Sequence, residues 1–257
     1  EIDDQFALAW ALSCRRRLDI VGLYAEPFSF AHRRADHPAA PADAAPFNPP
    51  AVGMARSYEE IHRVVGLMGE SIGALDVSSI QRGSPGYLPG PGEPIDSDAA
   101  RHLIEVARAQ PVDGAPLYVL ALGCVTNIAS ALLMAPDIRS RIVVVWTSGY
   151  PSYAPWVNHS FNLEQDLWAS QHLFDCGVPL VYLPGYHVGA QLRFSLQEMQ
   201  SFVRGRSAVG DALYALYTHN PLWPMLGWPE VIDSRCPYSW VIWDIICVAW
   251  LLEPAWV

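Results

Sequence analysis

The chain has 257 residues, a formal net charge of −10 and 51% hydrophobic residues. This length and composition suit one large α/β domain or two small ones, and the acidic excess argues against nucleic-acid binding. The five cysteines are scattered without a CxxC pair, so we predict neither a zinc site nor a disulfide framework, and we expect a reducing, cytoplasmic location. Every apolar stretch falls far short of the roughly 20 residues of a membrane span, so no membrane contact is expected.

The first predicted helix begins with two adjacent acidic residues. Asp3 and Asp4 stand in its first turn, and an apolar run over residues 6–12 follows. Carboxylates are favoured in the first turn of a helix by the exposed N–H groups and the helix dipole. The same geometry aims two oxygen ligands at one point above the helix, as a Ca²⁺ or Mg²⁺ site requires. The first helix alone leaves both interpretations open.

An α/β alternation follows, interrupted by one long loop. Residues 19–25 have the pattern of a buried strand. Residues 26–52 are rich in Pro and Ala and are predicted to be a loop insertion, and loops of that length in compact domains are often functional lids. Helical periodicity returns over residues 57–68, where Ser57 is the predicted N-cap.

The remainder of the chain repeats strand, loop and helix at least three times. Strands are predicted at residues 117–122, 142–146 and 178–183, and helices at residues 98–109, 128–134, 165–174 and 245–252. We therefore predict one α/β domain over residues 1–257, built on a single open, mostly parallel sheet with helices on both faces. Ligands of such folds bind beyond the carboxyl ends of the strands, so the site is expected there.

Polar residues gather at those places in four short motifs. The motifs are Glu1-Ile2-Asp3-Asp4, Leu122-Gly123-Cys124-Val125-Thr126-Asn127, Ser160-Phe161-Asn162 with Asp166, and Trp243-Asp244-Ile245-Ile246 leading to Leu251-Leu252-Glu253-Pro254. Taken singly, Thr126, Asn127 and Asp244 could each be an ordinary helix cap. Together and in this order, the motifs resemble the DxDxxxDD, LGPLTN, EFNxxxDPEAA and HDPLAVAxLLxP segments of the inosine-uridine-type nucleoside hydrolase family. The resemblance implies a nucleoside hydrolase-like fold with a Rossmann-like topology.

The resemblance also implies an activity, which is Ca²⁺-dependent hydrolysis of the N-glycosidic bond of a ribonucleoside. The ion would hold the attacking water and two ribose hydroxyls, with Asp4, Asp244 and the backbone carbonyl of Thr126 as its ligands. Asp3 would accept a hydrogen bond from a ribose hydroxyl, and Asn162 would contact another. Several oxygen ligands, one of them a backbone carbonyl, also suit Ca²⁺ on general grounds. The resemblance further implies a homo-oligomer, either a dimer or a tetramer.

The chain departs from the family pattern at several positions. The first Asp of DxDxxxDD, the general base of the family, would lie upstream of Glu1 together with the first strand, and relatives continue beyond Pro254, so we expect a chain truncated at both ends. Ser160 stands where the family has Glu, which weakens a contact to the ribose 5′-hydroxyl. Trp243 stands where the family has His, and Trp can stack on a base but cannot act as an acid.

Because Trp243 cannot protonate the leaving base, other histidine and tyrosine residues are candidates for that acid or for contact with the base. His187 follows a predicted strand, and Tyr217 and His219 lie in an aromatic segment that could close over a base. Tyr150, Tyr153 and Trp156 follow another strand and are also placed for substrate contact, whereas Trp146, Trp240 and Trp250 are predicted to be core residues.

Three other classes of protein were weighed against a nucleoside hydrolase. A catalytically impaired relative that keeps the metal and sugar cradle is the alternative hypothesis, because Ser160 and Trp243 both depart from the family pattern. The sequence contains no GxSxG elbow and no GxGxxG after a strand, which disfavours a serine hydrolase and a Rossmann dehydrogenase.

Overall fold

The computed structural model describes residues 1–257 except residues 42, 74, 112–113, 156 and 226–237. The helices are α1 Ile2–Ser13, α2 Pro50–Met68, α3 Asp98–Ala109, α4 Thr126–Met134, α5 Phe161–Gln165, α6 Leu167–Asp175, α7 Leu196–Glu198, α8 Ala208–Thr218, α9 Leu222–Met225 and α10 Ile245–Leu252. The strands are β1 Leu23–Tyr24, β2 Ile80–Gln81, β3 Leu117–Ala121, β4 Ile142–Thr147, β5 Leu180–Leu183, β6 Arg193–Ser195 and β7 Ser239–Val241. The predicted α/β class is confirmed.

The main sheet of the described chain is β3–β4–β5, and all three strands are parallel. Strands β1 and β2 form a separate parallel pair, and β6 and β7 form an antiparallel pair. The described strands thus form three separate sheets, where we predicted one. The strand predicted over residues 19–25 pairs only at its last residues, and Leu23 joins the central part of the fold through the apolar cluster that also contains Leu120 and Leu122.

Helices cover both faces of the main sheet, as predicted. On one face, Val144 and Trp146 pack in a cluster with α3, α4 and α6. On the opposite face, Val145 packs with Ile246 and Cys247 of α10. Alternation of neighbouring residues between the two clusters follows from the two-residue period of a strand. Strand β4, which contains these three residues, is therefore buried on both sides, which explains its uninterrupted apolar sequence.

Two helices differ from the sequence prediction. Helix α2 begins at Pro50, not near Ser57, because a proline at the first helical position has no hydrogen-bonding N–H to lose and a fitting φ angle. The helix predicted over residues 165–174 corresponds to α6, which begins after a break at Asp166, and a separate short helix, α5, ends at Gln165. Helix α3 has the predicted bounds, and Ser97 is its N-cap. None of the described helices is long and apolar enough to cross a membrane.

A second apolar cluster brings the two ends of the chain together. Helices α1, α2, α8 and α10 share it, with Phe6 and Ile2 of α1 packed in the same cluster as Ile245 and Val248 of α10. Helix α1 therefore begins close to the start of α10. This packing places the acidic pair at the start of the sequence beside the Asp that precedes the last long helix.

Candidate active site

Three carboxylates meet where α1 and α10 begin. One carboxylate oxygen from each of Asp3, Asp4 and Asp244 lies within 4.8 Å of the others. Asp3 and Asp244 are buried, and Asp4 is partly exposed. Residues that are 240 positions apart in the sequence thus form one acidic cluster.

The electrostatics of the cluster fit a bound cation. Burial raises the pKa of Asp3 well above its ordinary value, and the nearby Glu1 and Asp4 raise it further. Burial likewise raises the pKa of Asp244, with Asp3 and Asp4 adding to the effect. Asp244 precedes α10, yet its side chain makes no capping hydrogen bond, so the helix does not account for its burial. Buried, mutually repelling carboxylate oxygens suit a hard divalent cation such as Ca²⁺ or Mg²⁺.

The start of α5 lies against the carboxyl ends of β3 and β4. The Asn162 side-chain amide donates a hydrogen bond to the carbonyl oxygen of Leu122 at 3.0 Å. Ser160 is buried, and its hydroxyl lies 2.5 Å from the hydroxyl of Ser148, just after β4. These contacts bring both predicted sugar-contacting residues to the edge of the sheet where ligands of parallel α/β folds bind.

Thr126 opens α4 and is fully buried, but its side chain does not cap the helix. The N-cap residue is Val125, and the Thr126 hydroxyl donates instead to the carboxylate of Asp166 at 2.7 Å. The side chain of Asn127 bridges two segments, accepting from the Ser84 amide and donating to the Ala25 carbonyl, both at 2.8 Å. The capping interpretation of this pair is therefore wrong, since both side chains hold neighbouring loops.

An aromatic wall stands beside Asp244. The ring of Trp243 meets the ring of Tyr186 edge-on at 5.5 Å, and Tyr186 stacks on Tyr150 at 4.4 Å. Tyr186 lies in the turn after β5, where its amide donates to the Gly149 carbonyl at 2.9 Å and the next residue, His187, adopts a φ of 75°. The sequence prediction omitted Tyr186. Its position just after a parallel strand was the available signal.

Other predicted candidates have different surroundings. Tyr217 is fully buried in the cluster between α1 and α10, and its hydroxyl donates to the Phe194 carbonyl at 2.6 Å. His219 is exposed, with its Nδ1 atom 2.8 Å from the hydroxyl of the adjacent Thr218. Tyr153 is 81% exposed.

The predicted core tryptophans differ in burial. Trp146 is fully buried, whereas Trp240 and Trp250 are partly buried. Trp156 lies outside the described residues.

Residues 26–41 and 43–49, together called the cap segment below, contact α5. Phe30 stacks obliquely on Phe161 with ring centres 4.4 Å apart. Arg33 pairs with Glu164 at 2.7 Å and donates to the His159 carbonyl at 2.8 Å. Short 3₁₀ turns at Ala31–Asp36 and Ala45–Phe47 lie within it. The cap segment is therefore attached to the helix that carries Asn162.

The fold and this site define an α/β enzyme whose clustered carboxylates lie beside an aromatic wall. The family model for inosine-uridine preferring nucleoside hydrolase matches residues 1–257, and the chain belongs to that family. The resemblance predicted from the four motifs is thereby confirmed. The protein is a nucleoside hydrolase, an enzyme that hydrolyses the N-glycosidic bond of ribonucleosides.

Solved structures share the fold. A plant nucleoside hydrolase is 16% identical with a TM-score of 0.64, and the match covers 99% of this chain and 76% of that one. The inosine-uridine preferring nucleoside hydrolase from Bacillus anthracis is 15% identical with a TM-score of 0.61, covering 99% and 79%. An inosine-guanosine nucleoside hydrolase is 16% identical with a TM-score of 0.64, covering 99% and 76%. A search of curated proteins finds no match to the chain.

Proposed function

We propose that this nucleoside hydrolase uses a Ca²⁺ ion held by Asp4, Asp244 and the Thr126 carbonyl, and that it prefers purine ribonucleosides. The observation that carries the proposal is the convergence of Asp3, Asp4 and Asp244 within 4.8 Å. A cation in this cluster would supply a Lewis acid that lowers the pKa of water at neutral pH. We further propose a cytoplasmic location, because the scattered cysteines suit a reducing compartment. On the strength of the family resemblance we propose a homo-oligomer, either a dimer or a tetramer.

The residues of the chain itself bind and orient the sugar. Asp3 is buried beside the cation ligands and accepts a hydrogen bond from a ribose hydroxyl. Asn162 contacts another hydroxyl, and Ser160 leaves the 5′ side neutral, where the family motif has Glu. The cleavage of a glycosidic bond passes through a transition state with oxocarbenium character. The negative charge of the clustered carboxylates stabilises that positive charge.

The leaving base lies against the aromatic wall. Trp243 has no acidic proton to give to the base, but its indole face can stack on a heterocycle. Tyr186 contacts the Trp243 ring and stacks on Tyr150, so the wall is three rings long. A bicyclic purine covers more of such a surface than a pyrimidine does, which supports the proposed preference.

The proposal is tested by measuring the release of ribose and free base from a panel of purine and pyrimidine nucleosides, with Ca²⁺ and with a chelator. In a chain that carries the upstream strand and Asp of the family motif, we expect turnover with Ca²⁺ and a loss of more than about 100-fold for Asp244→Asn. Removing a group that only contacts a metal ligand already costs about 10–100-fold. Asp175→Asn, at an exposed position on α6, is the control. Tight nucleoside binding without turnover would favour the alternative, a binding relative that has lost catalysis.

The aromatic wall gives a second prediction. Trp243→Ala should lower kcat/KM for purine nucleosides by roughly 10-fold, as expected for the loss of about 1.5 kcal/mol of stacking. Trp243→Phe keeps a ring and should lose less. Equal losses for purine and pyrimidine nucleosides would contradict the proposed preference for purines.

A further inference from the structure

The break between α5 and α6 buries two consecutive polar side chains. Asp166 has φ −138° and ψ 89°, which interrupts the helix. Gln165 is 6% exposed and Asp166 is 2% exposed. In an uninterrupted helix, adjacent residues point about 100° apart and rarely both face the interior. The break lets both side chains reach inward, toward the segments that form the site.

Asp166 binds three separate parts of the chain. It accepts hydrogen bonds from the Thr126 hydroxyl at 2.7 Å, the Leu88 amide at 2.9 Å and the Ala169 amide at 3.0 Å. The last of these caps α6. The other two tie α6 to the first residue of α4 and to the Gly/Pro loop of residues 84–94.

Gln165 extends the same set of contacts. Its side-chain oxygen accepts from the Ser29 amide at 3.2 Å and from the Tyr87 hydroxyl at 2.9 Å. The cap segment and the Gly/Pro loop are therefore held by one residue. Three positions earlier on the same short helix, Asn162 is fixed to the Leu122 carbonyl.

We propose that the Gln165–Asp166 junction is a positioning element that aligns the cation-binding start of α4 with the sugar-binding start of α5. The inference rests on the proposed function, because it takes the Thr126 carbonyl as a cation ligand. Val125 supplies no side-chain cap to α4. The Thr126–Asp166 bond, at 2.7 Å, is shorter than the 3.6 Å contact between the Thr126 hydroxyl and the Cys124 thiol, so it is the stronger side-chain contact to the first residue of that helix. Asp166 acts through Thr126 and touches neither cation nor substrate.

The test removes the Thr126 hydroxyl and measures the affinity of the full chain for Ca²⁺ by calorimetry. Thr126→Val has nearly the same shape but cannot donate to Asp166, whereas Thr126→Ser keeps the donor. Ser170→Ala is the matched control. It also removes a buried hydroxyl, but this one lies on α6 and donates to the Leu163 carbonyl at 3.0 Å. Asp166→Asn, alone and combined with Thr126→Val, completes a double-mutant cycle.

We expect Thr126→Val to weaken Ca²⁺ binding by at least about 10-fold, the usual effect of losing a group that orients a ligand. Thr126→Ser should restore affinity and Ser170→Ala should leave it unchanged. The losses from Thr126→Val and Asp166→Asn should not add, because both break the same bond. If Thr126→Val does not fold, Asp166→Asn against Ser170→Ala decides the question.

Two results would overturn the inference. In the first, folded Thr126→Val binds Ca²⁺ as tightly as the wild type does. If the wild type still hydrolyses nucleosides, that result rejects this inference and leaves the proposed function unaffected. The other is an equal loss in Ser170→Ala, which would show a general effect of lost buried hydroxyls. A wild type that binds no Ca²⁺ would remove both the cation assignment and this inference.

Discussion

Asp166 and Asp244 are two buried aspartates in nearly the same local setting. Each directly precedes a helix, and they are 2% and 3% exposed. Asp166 accepts three hydrogen bonds, one of which caps its helix. Asp244 caps nothing and faces Asp3 and Asp4. Burial and position before a helix are the same, so only the neighbouring residues distinguish the structural carboxylate of Asp166 from Asp244, which we propose as a cation ligand.

The difference has an energetic consequence. A buried carboxylate with several donors is compensated for the water that it has lost. A buried carboxylate beside two other carboxylates lacks this compensation, so it lowers the stability of the fold unless a cation is bound. The two residues should therefore respond to substitution with opposite signs.

The largest expected effect is at Asp244. Asp244→Asn should lose activity, as given above. In the presence of a chelator, its free energy of unfolding should exceed that of the wild type by about 1–3 kcal/mol, because the substitution removes a poorly compensated charge. Added Ca²⁺ should stabilise the wild type by mass action and leave the variant almost unchanged. Urea unfolding with and without Ca²⁺ measures both effects. A variant less stable than the wild type in chelator would mean that Asp244 is a structural residue like Asp166.

Asp166 should respond in the opposite direction. Asp166→Ala leaves the Thr126 hydroxyl and two amides without their acceptor, so we expect a loss of about 2–4 kcal/mol of unfolding free energy. Asp175→Ala, at an exposed position on the same helix, should change stability by less than about 0.5 kcal/mol. Equal stabilities of the two variants would contradict the structural role of Asp166.

The contrast also explains what the sequence could predict. Strand and helix patterns indicated the fold class. The order of short motifs, matching a known family, led to the prediction of the acidic pair, Thr126, Asn162 and Asp244 as site residues. The break at Asp166 was missed because helical periodicity continues through it, and its cause is a set of donors from distant segments. Neighbours of that kind are tertiary, so a local pattern does not contain them.

The aromatic residues also show that tertiary neighbours, not local sequence, decide the role of a side chain. Tyr217 and Tyr186 both occur in aromatic stretches, but only the turn after β5 brings Tyr186 to Trp243. Tyr217 faces inward from α8 and its hydroxyl is bound to the Phe194 carbonyl. Composition alone cannot distinguish a pocket wall from a core. The position of a residue relative to the carboxyl end of a strand can.

Glu26 gives the smallest predicted effect, because it lies between the two cases. Its carboxylate accepts from the Asn127 amide at 3.4 Å and from the Cys124 thiol at 3.8 Å, both long contacts. Desolvation raises the pKa of Glu26 well above its ordinary value despite these donors, and Asp166 adds to the rise. The folded state thus retains a proton that the unfolded chain releases. Unfolding free energy should therefore fall as pH rises from the ordinary pKa of a glutamate toward the pKa in the folded state.

Glu26→Gln removes this titration, so its stability relative to the wild type should increase as pH rises. Urea unfolding at several values between pH 5 and pH 8 measures the difference, and Glu105→Gln, at an exposed position on α3, is the control. Parallel profiles for the wild type and Glu26→Gln would mean that the donors around Glu26 compensate it as fully as those around Asp166. A diverging profile would group Glu26 with Asp244 instead, as a buried carboxylate with too little compensation.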